Sequence, residues 1–267
     1  MIREPAVAGH FYPDDPAALN RQVQEFTAGP REKIRARACL VPHAGYVYSG
    51  HVAGAVYAAI ELPSRFVLLG PRHYPRGERM AILSEDAWRT PAGDARIDSH
   101  LAGELKKACP LLREDAVAHE TEHSLEVQLP FLQGLAGEFT FVPIVLGTDR
   151  FEAFEALGHA VAQVTRASAE PVLIVASSDM NHYESDAVTR VKDRKAIDAI
   201  LRLDARNLYD TVRRESISMC GYGPAVTMLV AAKDLGAREA ELVRYATSGD
   251  INDDRTEVVG YAGIIVR

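Results

Sequence analysis

The sequence predicts an α/β fold, with a largely parallel central sheet flanked by helices, and three observations support this prediction. Short apolar runs alternate along the chain with longer segments of helical period. The apolar runs are rich in Val, Ile and Leu, which is typical of strands buried on both faces. No internal repeat or Ser/Gly-rich linker interrupts the chain, so residues 1–267 are predicted to form one domain.

Each element has its own sequence signal. Six apolar runs are predicted strands: 38–42, 65–70, 139–147, 171–176, 242–247 and 258–266. The last two runs are close in sequence, so we expect adjacent or antiparallel edge strands. Five intervening segments are predicted helices: 48–60, 98–108, 151–164, 186–203 and 223–235. Asp98 stands where an N-cap is expected, and apolar residues at three- and four-residue steps give the third of these helices a core-facing stripe.

Composition excludes several classes of function. The chain carries 30 basic and 37 acidic residues, a net charge of −7, and no stretch concentrates Lys and Arg, so nucleic-acid binding is not expected. The longest stretch without a charged residue, 38–60, contains a proline, two histidines and three glycines, which does not fit a membrane span. The N-terminal residues lack the apolar run of a secretory signal, and three cysteines are too few and odd in number for a disulfide framework. We therefore expect a cytoplasmic protein.

Polar residues follow three of the predicted strands. His43 follows the first strand, His73 follows the second, and Asp179 and His182 follow the fourth. Because the carboxyl ends of parallel strands meet at one edge of a sheet, we expect these side chains to converge there. Neutral imidazole is the commonest protein metal ligand. The alternative is that each histidine is simply a hydrogen-bonded residue at a strand end, but three at equivalent positions favour a functional site.

Two further features indicate a chemical role, although the first also has an ordinary structural explanation. Asp179 and His182, three residues apart, are either a base with its orienting carboxylate or an ordinary turn with a cap. Cys220 lies in a Gly-rich turn that opens the last predicted helix, and a helix N-terminus lowers the pKa of a thiol, which favours a nucleophile or a metal ligand. Cys39 and Cys109 are interpreted as inert thiols.

Residues 119–123, HETEH, match the HExxH pattern of metalloproteases. The surrounding sequence argues against that function, because the helix is predicted to begin near His123 rather than before His119. We interpret the match as accidental. Glu122, His123 and Glu126 either line the pocket or form a solvated helix start.

Nine segments occur in an order and spacing that resemble the Memo family, also called component B of the AmmeMemoRadiSam system. They are AVAGHFYPDDP, PHAGYVYSG, LGPRHY, RTPAGDARID, EHSLEVQLPFLQ, PIVLG, SSDMNHY, CGYGP and TSGDINDD. The resemblance extends from about residue 6 to residue 266. It implies a fold similar to the class III non-haem iron extradiol dioxygenases, with a pocket at the sheet edge.

The resemblance also implies site residues. Animal relatives are reported to bind iron or copper through two histidines and a cysteine, which match His43, His73 and Cys220 here; zinc is a further option. His182 matches the acid–base histidine of the dioxygenases, with Asp179 beside it. A cysteine in place of the carboxylate of the 2-His-1-carboxylate triad argues against ordinary catechol ring cleavage. The residues expected to line the pocket are Tyr46, Glu122, His123 and His10.

Three functions follow as hypotheses, and the sequence leaves open whether the protein is an enzyme. The first is a metal-dependent oxidoreductase that uses O₂ or a related oxidant on a small molecule or a peptide. The second is a metal- or peptide-binding protein without turnover. The third is an accessory role beside a radical SAM enzyme and a third component; the chain has no CxxxCxxC motif, so it is not itself the radical enzyme.

Overall fold

Strands and helices alternate along residues 2–29 and 32–267, which the computed structural model describes. The strands are β1 (Ile2–Arg3), β2 (Ala38–Val41), β3 (Arg65–Pro71), β4 (Met80–Ile82), β5 (Ala87–Thr90), β6 (Gly93–Ile97), β7 (Arg113–Glu114), β8 (Thr140–Leu146), β9 (Val172–Ser177), β10 (His182–Glu184), β11 (Ala240–Thr247) and β12 (Val258–Val266). The α-helices are α1 (Pro16–Thr27), α2 (Tyr46–Ala58), α3 (Ser99–Ala108), α4 (Leu129–Leu135), α5 (Phe151–Ala167), α6 (Asp186–Leu201), α7 (Ala205–Arg214), α8 (Tyr222–Asp234) and α9 (Gly249–Asn252). A 3₁₀ turn, Glu126–Gln128, leads into α4.

All of these strands belong to one sheet with a parallel centre. The strand order is β1-β5-β6-β8-β3-β9-β2-β12-β10, while β11 pairs with β12, and β4 pairs with β7 and β8. Strands β8, β3, β9 and β2 run parallel to one another. Strand β12 is antiparallel to both β2 and β11. The predicted α/β class with a largely parallel central sheet is therefore confirmed, and so is the antiparallel pairing of the last two strands. The expectation that both are edge strands is wrong for β12, because it lies between β2 and β11.

Both faces of the sheet are buried, because successive side chains of a strand point to opposite sides. In β3, Val67 and Leu69 pack on the face covered by α3, α5, α6, α7 and α8. Phe66 and Leu68 pack on the opposite face, which α1, α2 and α4 cover. Two apolar layers explain why the central strands are continuous apolar runs rather than alternating ones.

The predicted strands and helices correspond to observed elements whose ends differ by a few residues. Asp98 caps α3 as expected, since its carboxylate accepts a hydrogen bond from the backbone N–H of Leu101. Helix α2 begins at Tyr46, two residues earlier than predicted. The elements without a prediction are α1, α7, α9 and most of the short strands, and α4 begins later than the helix predicted near His123. No helix in the described ranges has the length and apolar character needed to cross a bilayer.

Candidate metal centre

Parallel strands bring the predicted site residues to one edge of the sheet. His43 lies just beyond β2, His73 just beyond β3, and Asp179 just beyond β9. The ring centroids of His43 and His73 are 5.2 Å apart. The Asp179 carboxylate accepts hydrogen bonds from the backbone N–H groups of His43, at 2.8 Å, and Ala44, at 3.2 Å. The strand ends therefore meet in one cluster, as the sequence predicts.

A third histidine joins this cluster from a loop. His123 stacks on His73 with ring centroids 4.7 Å apart, and its ring lies 5.6 Å from that of His43. One ring nitrogen from each of the three histidines lies within 4.8 Å of the others. These three imidazoles could hold a metal ion. The sequence predicts His123 only as a pocket residue, whereas the structure places it among the three histidines that could hold a metal.

His43 is held neutral by its surroundings. The side chain is 2% exposed, and burial together with the neighbouring His73 lowers its pKa well below the usual value for histidine. Its Nδ1 lies 2.9 Å from the Ser177 hydroxyl. A neutral imidazole keeps a lone pair on one nitrogen, which is the form that binds metals.

Glu122 fixes His73. Its two carboxylate oxygens lie 2.6 Å from the backbone nitrogen of His73 and 2.9 Å from the ring Nδ1. Burial of Glu122 opposes ionisation, but hydrogen bonds from His73 and from the backbone of Ser124 outweigh it and lower the pKa of the carboxyl to about 2. An ionised carboxylate only accepts hydrogen bonds, so His73 carries its proton on Nδ1 and its Nε2 is free for a metal.

A buried ring nitrogen of His123 indicates whether these residues suit a metal ion. Its Nδ1 is buried and has no hydrogen-bond partner among the described residues. Burial and the neighbouring His43 lower the pKa of His123 to about 4, so the ring is neutral at physiological pH. The Phe11 ring packs edge-on against it at 4.8 Å. A buried ring nitrogen without a hydrogen bond, beside the rings of His43 and His73, fits a metal ligand set.

Cys220 stands beside the three histidines. Its Sγ lies 3.2 Å from Nε2 of His43 and 3.7 Å from the backbone oxygen of Asp179. The expectation that the N-terminus of α8 lowers its pKa is wrong for the protein without metal. Burial and the Asp179 carboxylate raise the pKa of the thiol, and these two effects are larger than the lowering effect of the α8 N-terminus. Cys220 therefore offers a fourth donor that must lose a proton before it can bind.

His182 lies at the same edge but has a different orienting partner from the one predicted. Its ring Nδ1 is 2.9 Å from the backbone oxygen of Ser218, and its backbone N–H donates to the Ser218 hydroxyl at 2.7 Å. Asp179 instead accepts hydrogen bonds from backbone N–H groups, and burial raises its pKa. A carbonyl oxygen only accepts, so the His182 proton is on Nδ1 and Nε2 is free. Sequence reasoning missed Ser218, which has no motif of its own.

Two residues predicted to line the pocket lie elsewhere. The Tyr46 ring is buried in the aromatic core of α2 and α4, and its hydroxyl donates to the backbone oxygen of Val127 at 2.7 Å. His10 is exposed at the surface. Its neighbour Phe11 is the residue that contacts the cluster, through His123. The FYP segment thus reaches the site through its phenylalanine.

Glu126 holds the N-terminal segment in place from its position in the 3₁₀ turn. Its fully buried carboxylate accepts hydrogen bonds from Arg3 at 2.7 Å and from the Tyr12 hydroxyl at 2.6 Å. It also accepts from the backbone N–H groups of Ala6 and Val7. Glu126 therefore neither lines the pocket nor forms a solvated helix start.

The HETEH segment forms turns rather than a helix, and regular helical structure begins only at the 3₁₀ turn, later than predicted. His119 packs edge-on against Trp88 at 5.6 Å and lies outside the metal-binding group that contains His123. A zincin site needs both histidines on one helix face. The interpretation of this match as accidental is confirmed.

Comparisons with known proteins agree with one another. A family model described as Memo-like protein matches residues 3–265. A MEMO1 family protein of Aquifex aeolicus is 45% identical over 99% of this chain and 98% of its own length, and one of Archaeoglobus fulgidus is 42% identical over the whole of both chains. A crystal structure of an uncharacterized Escherichia coli K12 protein matches 86% of this chain and 100% of that chain with a TM-score of 0.57. Its sequence identity is 12%, so it shows a shared fold.

Proposed function

The chain belongs to the Memo-like protein family, and we propose that it is a metal-dependent oxidoreductase whose iron or copper ion is bound by His43, His73 and His123. The observation that carries the proposal is the packing of three imidazoles with ligand atoms within 4.8 Å of one another. Like charges would repel at this distance, and burial already disfavours protonation. Histidine side chains packed this closely in a buried position can coordinate the same metal cation.

The donor set narrows the choice of metal. Imidazole suits iron, copper and zinc, whereas magnesium and calcium prefer carboxylate and carbonyl oxygens. The thiol of Cys220, 3.2 Å from Nε2 of His43, adds a soft donor that strengthens this preference. We propose Cys220 as a further ligand beside the three histidines, in its thiolate form.

The residues around the cluster have separable roles in the proposed reaction. A bound iron or copper ion supplies redox chemistry with O₂ or a related oxidant. Glu122 holds the His73 ring through its Nδ1–H. His182 donates its Nδ1–H to the Ser218 carbonyl, so its Nε2 lone pair can take a proton from a substrate. Phe11 covers one edge of His123 and keeps water from it.

A second candidate, a metal-holding protein without turnover, is favoured by one observation. Cys220 lies 3.2 Å from Nε2 of His43, one of the three histidines of the cluster. With Cys220 as a fourth ligand the site would be four-coordinate with no open position, which is typical of structural metals. The two candidates differ in whether an exogenous molecule can reach the metal. A small anion such as azide binds only where a coordination position is open or held by water.

The metal is tested first. Protein purified without oxygen is analysed for metal by mass spectrometry, beside His43→Ala, His73→Ala and His123→Ala. The exposed histidine of α5, His159, provides the control His159→Ala. We expect close to one iron or copper per chain in the wild type and control, and a loss of most of it in each cluster variant that keeps its circular dichroism spectrum. Equal metal content in all four variants would contradict the proposal.

The second measurement distinguishes the oxidoreductase from the metal-holding protein without turnover. Iron- or copper-loaded protein is titrated with azide while its electron paramagnetic resonance spectrum is recorded, and oxygen uptake is followed with a panel of small-molecule and peptide reductants. A changed spectrum together with metal-dependent uptake is expected for the oxidoreductase. An unchanged spectrum and no uptake would favour the metal-holding protein.

A further inference from the structure

Ser177, the last residue of β9, lies directly behind His43. Its hydroxyl oxygen has three polar neighbours: Nδ1 of His43 at 2.9 Å, the backbone oxygen of Ser124 at 2.6 Å, and the side-chain nitrogen of Gln128 at 2.9 Å. Ser177, Ser124 and Gln128 are fully buried, and His43 nearly so. Because water is excluded, every hydrogen in this group must go to a protein acceptor.

The orientation of the Gln128 amide follows from its partners. Its Nε2 lies 3.0 Å from the backbone oxygen of Pro42, which can only accept, so the NH₂ group must face that side. Its Oε1 then accepts from the Tyr57 hydroxyl at 3.0 Å. The second hydrogen of the NH₂ group is left for the Ser177 oxygen, which therefore accepts from Gln128.

This leaves one arrangement for the proton between Ser177 and His43. A hydroxyl has one hydrogen, and the Ser124 carbonyl, which cannot donate, takes it at 2.6 Å. The Ser177 oxygen can then only accept from His43, so Nδ1 of His43 carries the proton. A neutral imidazole has one N–H, and Nε2 of His43 therefore has its lone pair free on the side of Cys220.

We propose that Ser177 is a positioning residue that selects the Nδ1–H tautomer of His43, with Gln128 and Ser124 fixing the direction of the Ser177 hydroxyl. The inference rests on the proposed function, in which His43 is a ligand through Nε2. Without the hydroxyl, Nδ1 has no acceptor and the proton moves to Nε2. There it donates to Cys220, on the side where the Asp179 carboxylate oxygen lies 3.9 Å away, and the metal must displace it. Partners of this kind typically change metal affinity 10–100-fold.

The test uses two variants of nearly the same shape. Ser177→Thr keeps the hydroxyl, and Ser177→Val replaces it by a methyl group; both add the same extra methyl to a strand that suits β-branched residues. The His43 tautomer is read in the metal-free proteins from ¹⁵N chemical shifts, which separate protonated from unprotonated ring nitrogens. Affinity for iron or copper is measured by competition with a chelator. If the added methyl prevents folding of both variants, Ser177→Ala is compared with the wild type in the same way.

The expected result is Nδ1–H in the wild type and Ser177→Thr, Nε2–H in Ser177→Val, and metal affinity about 10–100-fold weaker in Ser177→Val than in Ser177→Thr. Nε2–H in the metal-free wild type, or Nδ1–H in Ser177→Val, would overturn the tautomer assignment whether or not metal binds. A changed tautomer with equal affinities would overturn the positioning role. Absence of metal binding in the wild type would refute the proposed function, and the positioning role with it, even where the spectra show the expected tautomers.

Discussion

The carboxylate of Glu122 accepts hydrogen bonds from both the backbone and the ring of His73, at 2.6 and 2.9 Å. One oxygen sets the course of the chain as it leaves β3, and the other sets the rotation of the imidazole. The Glu122 side chain is 1% exposed, so these bonds are not exchanged for bonds to water. Glu122 thus couples the loop that carries it, next to His123, to the strand end that carries His73.

Replacing this carboxylate is predicted to weaken metal binding. The Glu122 oxygens accept from three groups: the backbone N–H of His73, the ring Nδ1–H of His73 and the backbone N–H of Ser124. In Glu122→Gln, the amide NH₂ group replaces one of these oxygens and opposes a backbone N–H, so at least one of the three hydrogen bonds is lost. We expect metal affinity to fall about 10–100-fold, measured by chelator competition. The neighbouring Glu120→Gln is the matched control, because Glu120 is exposed and forms an ion pair with the exposed Arg76. Equal affinities in the two variants would rule out a role for the Glu122–His73 contact.

A second prediction concerns protons released when metal binds. The raised pKa of Cys220 keeps its thiol protonated at neutral pH, whereas the lowered pKa values of His43 and His123 keep these two rings neutral. If Cys220 joins the ligand set, metal binding to the wild type must release close to one proton per ion more than metal binding to Cys220→Ser. Calorimetric titration at pH 7 in buffers of different ionisation enthalpy counts these protons. Equal counts in both proteins would exclude Cys220 as a ligand and leave the three histidines.

The fold and three strand-end residues of the site could be predicted from the sequence, because both depend on short-range patterns. A strand buried on both faces is a continuous apolar run, and the parallel sheet then places His43, His73 and Asp179 at one edge. The start of helix α1 also has a local sequence signal. Asp15 caps it and Pro16 occupies its first turn, a combination that indicates a helix start.

The remaining site residues depend on contacts between distant segments. His123 reaches the cluster from a loop of turns, and no periodicity predicts where such a loop will lie. His182 is oriented by a backbone oxygen, that of Ser218, which any residue could supply. Tyr46 is expected in the pocket from the family resemblance, but α2 begins at this residue and the ring packs in the core.

A third prediction concerns the buried ion pair of Glu126 and Arg3. In Glu126→Gln, the guanidinium loses its charged partner, and the amide NH₂ group must face one of the N–H and O–H donors. Removal of one member of a buried pair typically costs about 3–5 kcal/mol of unfolding free energy. The matched control is Glu61→Gln, which removes an exposed partner of Arg35 and should leave stability unchanged. Urea unfolding measures both, and a loss below about 1 kcal/mol in Glu126→Gln would contradict the assigned role.

A fourth prediction concerns the dependence of stability on pH. Burial and the Arg3 charge lower the pKa of His119 to about 4, against 6.5 for an unperturbed histidine. Between these values the unfolded chain binds a proton that the folded protein does not. The free energy of unfolding therefore falls as pH falls through this range, and the share of His119 is about 1.4 kcal/mol per pH unit. Above pH 6.5 that share is constant.

His119→Phe isolates this share, because a phenyl ring keeps the edge-on contact with Trp88 and cannot titrate. Urea unfolding of the metal-free proteins is compared at pH 8, 7, 6 and 5. The two proteins should lose stability in parallel from pH 8 to pH 7, and the wild type should lose about 1.4 kcal/mol more than His119→Phe from pH 6 to pH 5. Extra packing strain from the larger ring shifts the variant by a constant amount at every pH, so the difference in slope is independent of it. Parallel curves down to pH 5 would show that His119 takes up its proton equally in the folded and unfolded protein.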